Sequence, residues 1–240
     1  MYTYAIPMNI QKQNKTFFCF NPLVTFISGT VELALALFVC LRYNKTLFGR
    51  LTTLLLILLA VFQFSEYTLC SGNSSLLWSK LGFVATTFLP AIGLHLTSLI
   101  TRKTFLTPIS YVLATAIAVH ILLLPTAFVM TYCTGTYVLF ELNDTLHYFF
   151  GIYYLLFLLV AILKLAFALL RKRGNGKIIL WLLLGYSSFL IPTIIVLIIT
   201  SASHDGIPSI MCGFAVLLAC VLTFKVVPLY KQSFKDQSDA

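Results

Sequence analysis

Four of the ionisable side chains inside the long apolar stretches of the chain could bind a ligand or carry a proton. They are Glu32, Glu66, His95 and His120. A charged group near the centre of a bilayer is costly unless it faces a partner or water, so such residues are candidates for function by default. We therefore begin with each of these residues and its neighbours.

Glu32 lies about midway along the first apolar stretch, at the end of the segment SGTVE at 28–32. The small residues of this segment would let another helix approach closely. His120 lies at a similar depth in the fourth stretch, and the two side chains could share a hydrogen bond if their helices meet. Two interpretations stay open: a site for a ligand or proton, or a protonated Glu32 that bonds a neighbouring helix for structural reasons.

Glu66 belongs to the segment QFSEY at 63–67, near the outer end of the second stretch. Gln63 and Glu66 are three residues apart and share one face of a helix, and Tyr67 follows directly. We expect all three in an outward-facing pocket, or else a structural ion pair between Glu66 and Lys80 on the next helix. Aromatic residues in the outer halves of the spans would line the pocket or form an interfacial belt: Phe62, Tyr67, Trp78, Phe83 and Tyr153.

His95 follows Pro90 in the third stretch, and a proline removes a helix hydrogen bond and can kink the helix. His95 lies at about the depth of Lys164 and Lys225. These three could form a polar cluster in the inner half that changes on activation. The alternative is that the two lysines only extend toward the cytoplasmic headgroups.

Membrane-spanning helices are the elements that must position these residues. Of the 240 residues, 60% are hydrophobic and 10% are charged, against roughly 25% charged residues in a typical soluble domain. A span needs about 20 apolar residues. We predict seven spans, at 21–43, 48–70, 77–101, 106–130, 147–171, 177–200 and 207–230. The predicted fold is an all-α, seven-helix transmembrane bundle over 21–230, with an extracytoplasmic N-terminal arm at 1–20 and a short cytoplasmic tail at 231–240.

Basic residues predict the orientation of the bundle, because short loops rich in Lys and Arg stay in the cytoplasm. The first, third and fifth loops and the C-terminal tail carry most of them: Arg42, Lys45, Arg50, Arg102, Lys103, Arg171, Lys172, Arg173, Lys177, Lys231 and Lys235. We therefore predict a multi-pass protein of the cell membrane with its N-terminus outside and its C-terminus in the cytoplasm. Topology accounts for most of the net charge of +9, so the charge requires no nucleic-acid partner.

Of the six cysteines, Cys19 lies in the predicted outer arm, while Cys70 and Cys133 fall at the predicted outer surface. The latter two could form a disulfide that ties the fourth loop to the top of the second helix, or remain free thiols. No cysteine pair has the spacing of a zinc or redox motif, and the HExxH, GxSxG and phosphate-binding glycine motifs do not occur. We predict no metal, no cofactor, no catalytic residues and no enzyme activity.

The segments LLAVFQFSEY at 58–67, LWSKLGF at 77–83 and LPA at 89–91 together resemble the N-terminal seven-span sensor region of some bacterial histidine kinases. The last span, which begins IPSIMCGFAV at 207–216, is similar to the closing helix of such regions. The resemblance covers nearly the whole chain and implies a receptor-like bundle that passes a signal inward. It assigns no functional residues. No output domain follows Tyr230, so we expect a stand-alone copy to signal through a separate partner.

Three functions follow from these observations. The first is an orphan sensor that binds a small or lipid-like ligand and signals through a cytoplasmic partner protein. The second is a small transporter or channel that uses Glu32 and His120 as a midplane polar site. The third is a structural or assembly subunit in which Glu32 binds a partner helix.

Overall fold

The computed structural model describes residues 22–72, 76–124, 127–133, 138–172, 174–200 and 207–238. The N-terminal arm predicted at 1–20 lies outside this part of the chain.

Helices make up nearly all of the described structure. In chain order the elements are α1 (Pro22–Tyr43), α2 (Leu47–Cys70), α3 (Leu76–Thr101), α4 (Thr107–Leu123), β1 (Phe128–Cys133), β2 (Val138–Leu142), α5 (Asp144–Leu170), α6 (Gly176–Thr200), α7 (Ile207–Val221), a π-helical turn (Leu222–Val226) and α8 (Val227–Ser238).

Six helical segments of the described chain are long and apolar enough to cross a membrane. They are Pro22–Tyr43, Leu47–Cys70, Leu76–Thr101, Asp144–Leu170, Gly176–Ile195 and Ser209–Ser233. Helix α4 is apolar but has only 17 residues, which corresponds to about 26 Å at 1.5 Å per residue against roughly 30 Å of hydrocarbon. The protein is therefore a multi-pass membrane protein built as a helical bundle.

Helices α3 and α7 hold the bundle together. Helix α3 packs against α2, α4 and α5, whereas α7 packs against α1, α2 and α6. Small residues lie among the buried positions of α3, including Ala85, Ala91 and Gly93. Small side chains let helices approach closely in a membrane, so the other helices can gather around α3.

The connection between α4 and α5 contains a β-hairpin, which we did not predict from the sequence. Strands β1 and β2 pair antiparallel, with Cys133 opposite Val138. Helix α4 ends at Leu123, not at 130, and Leu124 has an extended backbone. The residue before a proline is pushed out of the helical region, and Leu124 precedes Pro125. β-branched and aromatic residues then favour a strand.

The two ends of the bundle differ in chemistry, and we name them by their structure. The hairpin end carries β1 and β2. The basic end carries the connections α1–α2, α3–α4 and α5–α6 together with α8. Helix α8 extends the chain of α7 through the π-helical turn, so the tail predicted at 231–240 is helical through Ser238. It packs on the start of α2, where the rings of Phe48 and Tyr230 stack with centroids 4.4 Å apart.

Candidate functional site

Helices α1 and α2 meet at the first candidate residues. An ideal Cβ placed on Gly29 would lie 3.1 Å from Gln63 Cβ, so a larger residue at this position would push the helices apart. Glu32 follows Gly29 by one turn and Glu66 follows Gln63 by one turn, which places each pair on one helix face. The exposed fractions of Glu32, Gln63 and Glu66 are 0%, 1% and 6%. The structure thus brings three of the predicted site residues into one buried contact.

Helix α7 forms the third wall of this contact. Gln63 Nε2 donates a hydrogen bond to the Cys212 carbonyl oxygen at 2.8 Å. Ser209, one turn earlier, donates its hydroxyl to the Val138 carbonyl oxygen on β2 at 2.7 Å and lies within hydrogen-bonding reach of the Glu66 carboxyl. We call Glu32, Gln63, Glu66, Ser209 and Cys212 the carboxyl site.

Three carboxyl oxygens of this site have no hydrogen-bond partner among the described residues. They are both oxygens of Glu32 and Oε1 of Glu66. The two carboxyl groups lie close enough to interact electrostatically, and Glu32 also interacts with the thiol of Cys212. A buried polar group without a partner costs about 1–3 kcal/mol. The carboxyl site can therefore accept hydrogen bonds from a small ligand that has N–H or O–H groups, or bind a monovalent cation.

A small cavity adjoins the carboxyl site at Cys212. Its walls come from α2, α3, α5, α6 and α7. The volume within which the centre of a water molecule can lie is about 40 Å³. Tyr154, Tyr186 and Gly93 line this cavity, and an ideal Cβ on Gly93 would lie 2.8 Å from Tyr186 Oη. One water needs about 10–15 Å³ by this measure. The cavity has room for several waters or for a small polar group.

The β-hairpin covers the bundle at the hairpin end. Phe140 is 1% exposed, and its ring centroid lies 5.9 Å from that of Phe62 and 5.7 Å from that of Phe83. A disulfide joins Cys70, at the end of α2, to Cys133, at the end of β1. The sequence left open whether these two cysteines are bonded, and in the structure they are. The aromatic pocket that we predicted in this half is filled by the hairpin of the chain itself.

The ion pair between Glu66 and Lys80, one of our two expectations, is not formed in the described structure. Lys80 Nζ donates to the Leu122 carbonyl oxygen at 2.8 Å, in the last turn of α4, where helix carbonyls lack intrahelical partners. The expectation rested on equal depth along two helices. The partner of each residue depends instead on the side of the helix on which it lies: Lys80 faces α4, whereas Glu66 faces α7.

His120 and Glu32 are not brought together either. Glu32 is enclosed by α1, α2 and α7, whereas His120 is exposed and lines a cleft between α4 and α5. The shared hydrogen bond that we considered from the sequence is therefore wrong. A similar depth in the bilayer placed both residues at one level, but their helices occupy different sides of the bundle.

The remaining candidates belong to separate contacts. His95 Nδ1 lies 3.1 Å from Tyr111 Oη, while Lys164 donates to Ser98 Oγ at 2.9 Å and to the Lys103 carbonyl oxygen at 2.5 Å. Lys225 lies over the Trp181 ring, 5.3 Å from its centroid, and Tyr67 packs on Phe26 with centroids 5.0 Å apart. The predicted cluster of His95, Lys164 and Lys225 thus does not form, and Lys164 bonds to protein groups instead of only extending toward the headgroups.

Within the described ranges, no group of three or more His, Cys, Asp and Glu side chains could hold a metal ion. We did not identify from the sequence Ser209 and Cys212 of the carboxyl site, or Val138, whose carbonyl oxygen accepts the Ser209 hydrogen bond. No local signal marks them, because two of them contribute through a backbone carbonyl. No protein-family model matches the chain, and no curated protein matches it significantly. The resemblance to histidine-kinase sensor regions therefore rests on the sequence segments alone.

Proposed function

We propose that the protein is a receptor-like sensor of the cell membrane that binds a small ligand at the carboxyl site and signals through a separate cytoplasmic protein. In this proposal α4 is a seventh span, the hairpin end faces outward and the basic end faces the cytoplasm. The observation that carries the proposal is the set of three buried carboxyl oxygens without partners. A primary amine or a monovalent cation would satisfy them, and the bound state would recover the cost of burying them unpaired.

Helix α7 supplies a route from the ligand to the basic end. It contributes Ser209 and Cys212 to the carboxyl site and continues through the π-helical turn into α8. π-helical turns inside helices occur frequently at functional sites. A ligand that competes for Gln63 would release the Cys212 carbonyl and let α7 move relative to α2. That movement would reach α8, whose Lys231 lies 5.3 Å from the centroid of the Tyr43 ring.

The basic end offers a surface for the signalling partner. A cleft of about 700 Å³ lies between the α3–α4 and α5–α6 connections and α8, and its lining includes Arg102, Lys103, Asn175 and Tyr230. Complementary charge steers association between proteins. An acidic surface on a cytoplasmic signalling protein would therefore fit this end, in agreement with the sensor role that the resemblance implies.

The other two functions have less support. The transporter hypothesis used a joint site of Glu32 and His120, and these residues lie on different sides of the bundle. The assembly hypothesis needed Glu32 to contact the helix of another protein. Glu32 is completely buried inside its own chain, so another protein cannot reach it without separating α1 from α2 and α7.

A ligand screen on the purified protein tests the proposal. The protein in lipid nanodiscs would be heated with Na⁺, K⁺, ammonium and a panel of small primary amines, and the midpoint of thermal unfolding would be recorded. We expect at least one of these to raise the midpoint of the wild type. The rise should be lost in Glu32→Gln and Glu66→Gln, because an amide binds a cation less well than a carboxylate. Glu141→Gln is the matched control, since Glu141 is exposed on β2.

Equal rises of the unfolding midpoint in the wild type and the three variants would contradict ligand binding at the carboxyl site. Signalling needs its own test, namely crosslinking of the tagged protein in its native membrane followed by mass spectrometry. Recovery of a cytoplasmic signalling protein, and its loss when Lys103 and Lys177 are changed to Glu, would support the sensor. Transport of the bound ligand into liposomes would instead favour a transporter.

A further inference from the structure

An apolar cleft lies between α4 and α5 on the side of the bundle. Helix α4 packs mainly against α3 and touches α5 at few points. The space left between them measures about 580 Å³, within the range of about 300–1,000 Å³ that is typical of ligand pockets. Phe149 and Ile152 line it and are 66% and 64% exposed. The cleft therefore opens sideways, toward the hydrocarbon of the bilayer.

The cleft is closed toward the basic end by a polar tie among α3, α4 and α5. Lys164 on α5 donates to Ser98 Oγ on α3 at 2.9 Å and to the Lys103 carbonyl oxygen in the α3–α4 connection. Thr107, at the start of α4, donates to the same Ser98 oxygen at 3.0 Å. The two helices are thus held together at one end and separate toward the hairpin end.

Two polar side chains, His120 and Asn143, line the cleft at the hairpin end. His120 is in the last turn of α4, and its ring has no hydrogen-bond partner in the part of the chain that the structure describes. Asn143 lies just before α5, and its Oδ1 accepts a hydrogen bond from the Thr145 amide at 3.2 Å. That bond leaves the side-chain amide nitrogen of Asn143 to donate. Thr145 and Tyr153 also line the cleft, and the Tyr153 hydroxyl donates to the Thr87 carbonyl oxygen at 2.8 Å. Most of the other lining residues are apolar, including Leu113, Ile117 and Leu156.

We propose that the α4–α5 cleft binds one phospholipid from the surrounding bilayer, with an acyl chain between the helices and its ester or phosphate oxygens at His120 and Asn143. The occupant is a lipid because the mouth of the cleft borders lipid chains and because the lining is mostly apolar along its length with hydrogen-bonding groups at one end. This site is separate from the carboxyl site, and it rests on the proposed function only in that α4 lies in the bilayer.

Native mass spectrometry of the full chain tests the proposal. The protein would be released from nanodiscs of phosphatidylglycerol with one palmitoyl and one oleoyl chain, and retained lipid would be counted per protein. Ala116→Trp places a bulky ring in the cleft, whereas Val112→Trp places the same ring on an exposed part of α4 outside it. We expect one retained phospholipid in the wild type and in Val112→Trp. Retention should fall about ten-fold in Ala116→Trp, which corresponds to about 1.4 kcal/mol.

A second variant, at Asn143, tests the contact with the lipid headgroup. Asn143→Asp keeps the oxygen that caps α5 but replaces the donor with a negative charge that repels the lipid phosphate, so retention should fall by at least about three-fold, the size expected for one lost hydrogen bond, with no change in the unfolding midpoint. Equal retention in Ala116→Trp and the wild type would overturn the proposal. So would a wild-type dimer that Ala116→Trp dissociates, because a second copy would then fill the cleft. Preferential retention of added free oleic acid would overturn the phospholipid as the source.

Discussion

The two sides of the bundle are built from similar apolar residues but pack in opposite ways. On one side, α1, α2 and α7 meet closely and bury Glu32 and Glu66. On the other, α4 and α5 leave a cleft of about 580 Å³. Residue size contributes to the close packing, because Gly29 lets α1 approach α2. Bulky and largely exposed side chains, Phe149 and Ile152, line the cleft instead.

This difference determines which ligands each side can accept. Polar groups on the close-packed side are enclosed, so only a small ligand with hydrogen-bond donors or a cation can satisfy them. Polar groups on the open side lie at the rim of an apolar cleft, where the oxygens of a lipid can reach them. The hairpin lies at the end shared by the two sides, since Phe140 contacts Phe83 of α3 and Phe83 contacts Phe150 of α5.

The largest expected effect concerns the hairpin. Phe140→Ala should lower the free energy of unfolding by about 3–5 kcal/mol, because it removes a buried ring and leaves a cavity. Phe149→Ala, at an exposed ring in the cleft, should change it by much less. Thermal or denaturant unfolding of both variants in one detergent would measure the contrast. Equal losses would mean that the cleft is packed as tightly as the hairpin contact.

The disulfide should have the next largest effect. Replacing Cys70 and Cys133 by Ser should cost about 2–4 kcal/mol, since the bond restricts the unfolded chain. A reductant should lower the unfolding midpoint of the wild type to that of the double variant. Cys40→Ser, at a free cysteine, should keep the response to reductant. A wild-type midpoint that is insensitive to reductant would contradict a bonded pair.

The third largest effect is expected at the polar tie that closes the cleft toward the basic end. Lys164→Met should cost about 1.5–3 kcal/mol, because it removes charged hydrogen bonds to Ser98 and to the Lys103 carbonyl. Lys225→Met, which loses a contact with the Trp181 ring, should cost about 0.5–1 kcal/mol. Unfolding measurements on the two variants give the comparison directly. An equal and small cost would show that Lys164 extends to the headgroups like an ordinary interfacial lysine.

Glu32→Leu should raise stability instead of lowering it. The change removes two carboxyl oxygens that have no partner in the described structure, and an apolar residue should gain about 1–3 kcal/mol. The same variant should lose any stabilisation by amines or cations. Glu141→Leu, at an exposed position, should do neither. A clear loss of stability in Glu32→Leu would indicate a structural hydrogen bond in place of a ligand site.

Much of the architecture could be predicted from the sequence, because span length and apolar composition are local properties. The boundaries of α2 and α3 were predicted within about one residue of those in the structure. The fourth span was predicted too long, since apolar and aromatic residues after Pro125 satisfy the composition of a span while they favour strands. Periodicity alone does not distinguish a short apolar strand from the end of a helix.

Part of the candidate site could also be predicted from local properties of the sequence. Glu32, Gln63 and Glu66 could be selected because each is polar within an apolar helix, and the first two helices are neighbours in sequence and in space. The partners of Glu32 and Glu66 could not be assigned, since depth in the bilayer does not reveal which helices are adjacent. On that basis Glu66 was paired incorrectly with Lys80, and Glu32 with His120. The contribution of Ser209 and Cys212 from α7 could be recognised only in the folded structure.

Infrared difference spectroscopy of the protein in nanodiscs would test the carboxyl site most directly. Ammonium or the amine that stabilises the protein most would be added, and the change in the carboxyl stretching bands would be recorded. Ligand binding at Glu32 and Glu66 predicts a change in the wild type and in Glu141→Gln that is absent from both Glu32→Gln and Glu66→Gln. An unchanged carboxyl spectrum in the wild type at saturating ligand would contradict the assignment of this site.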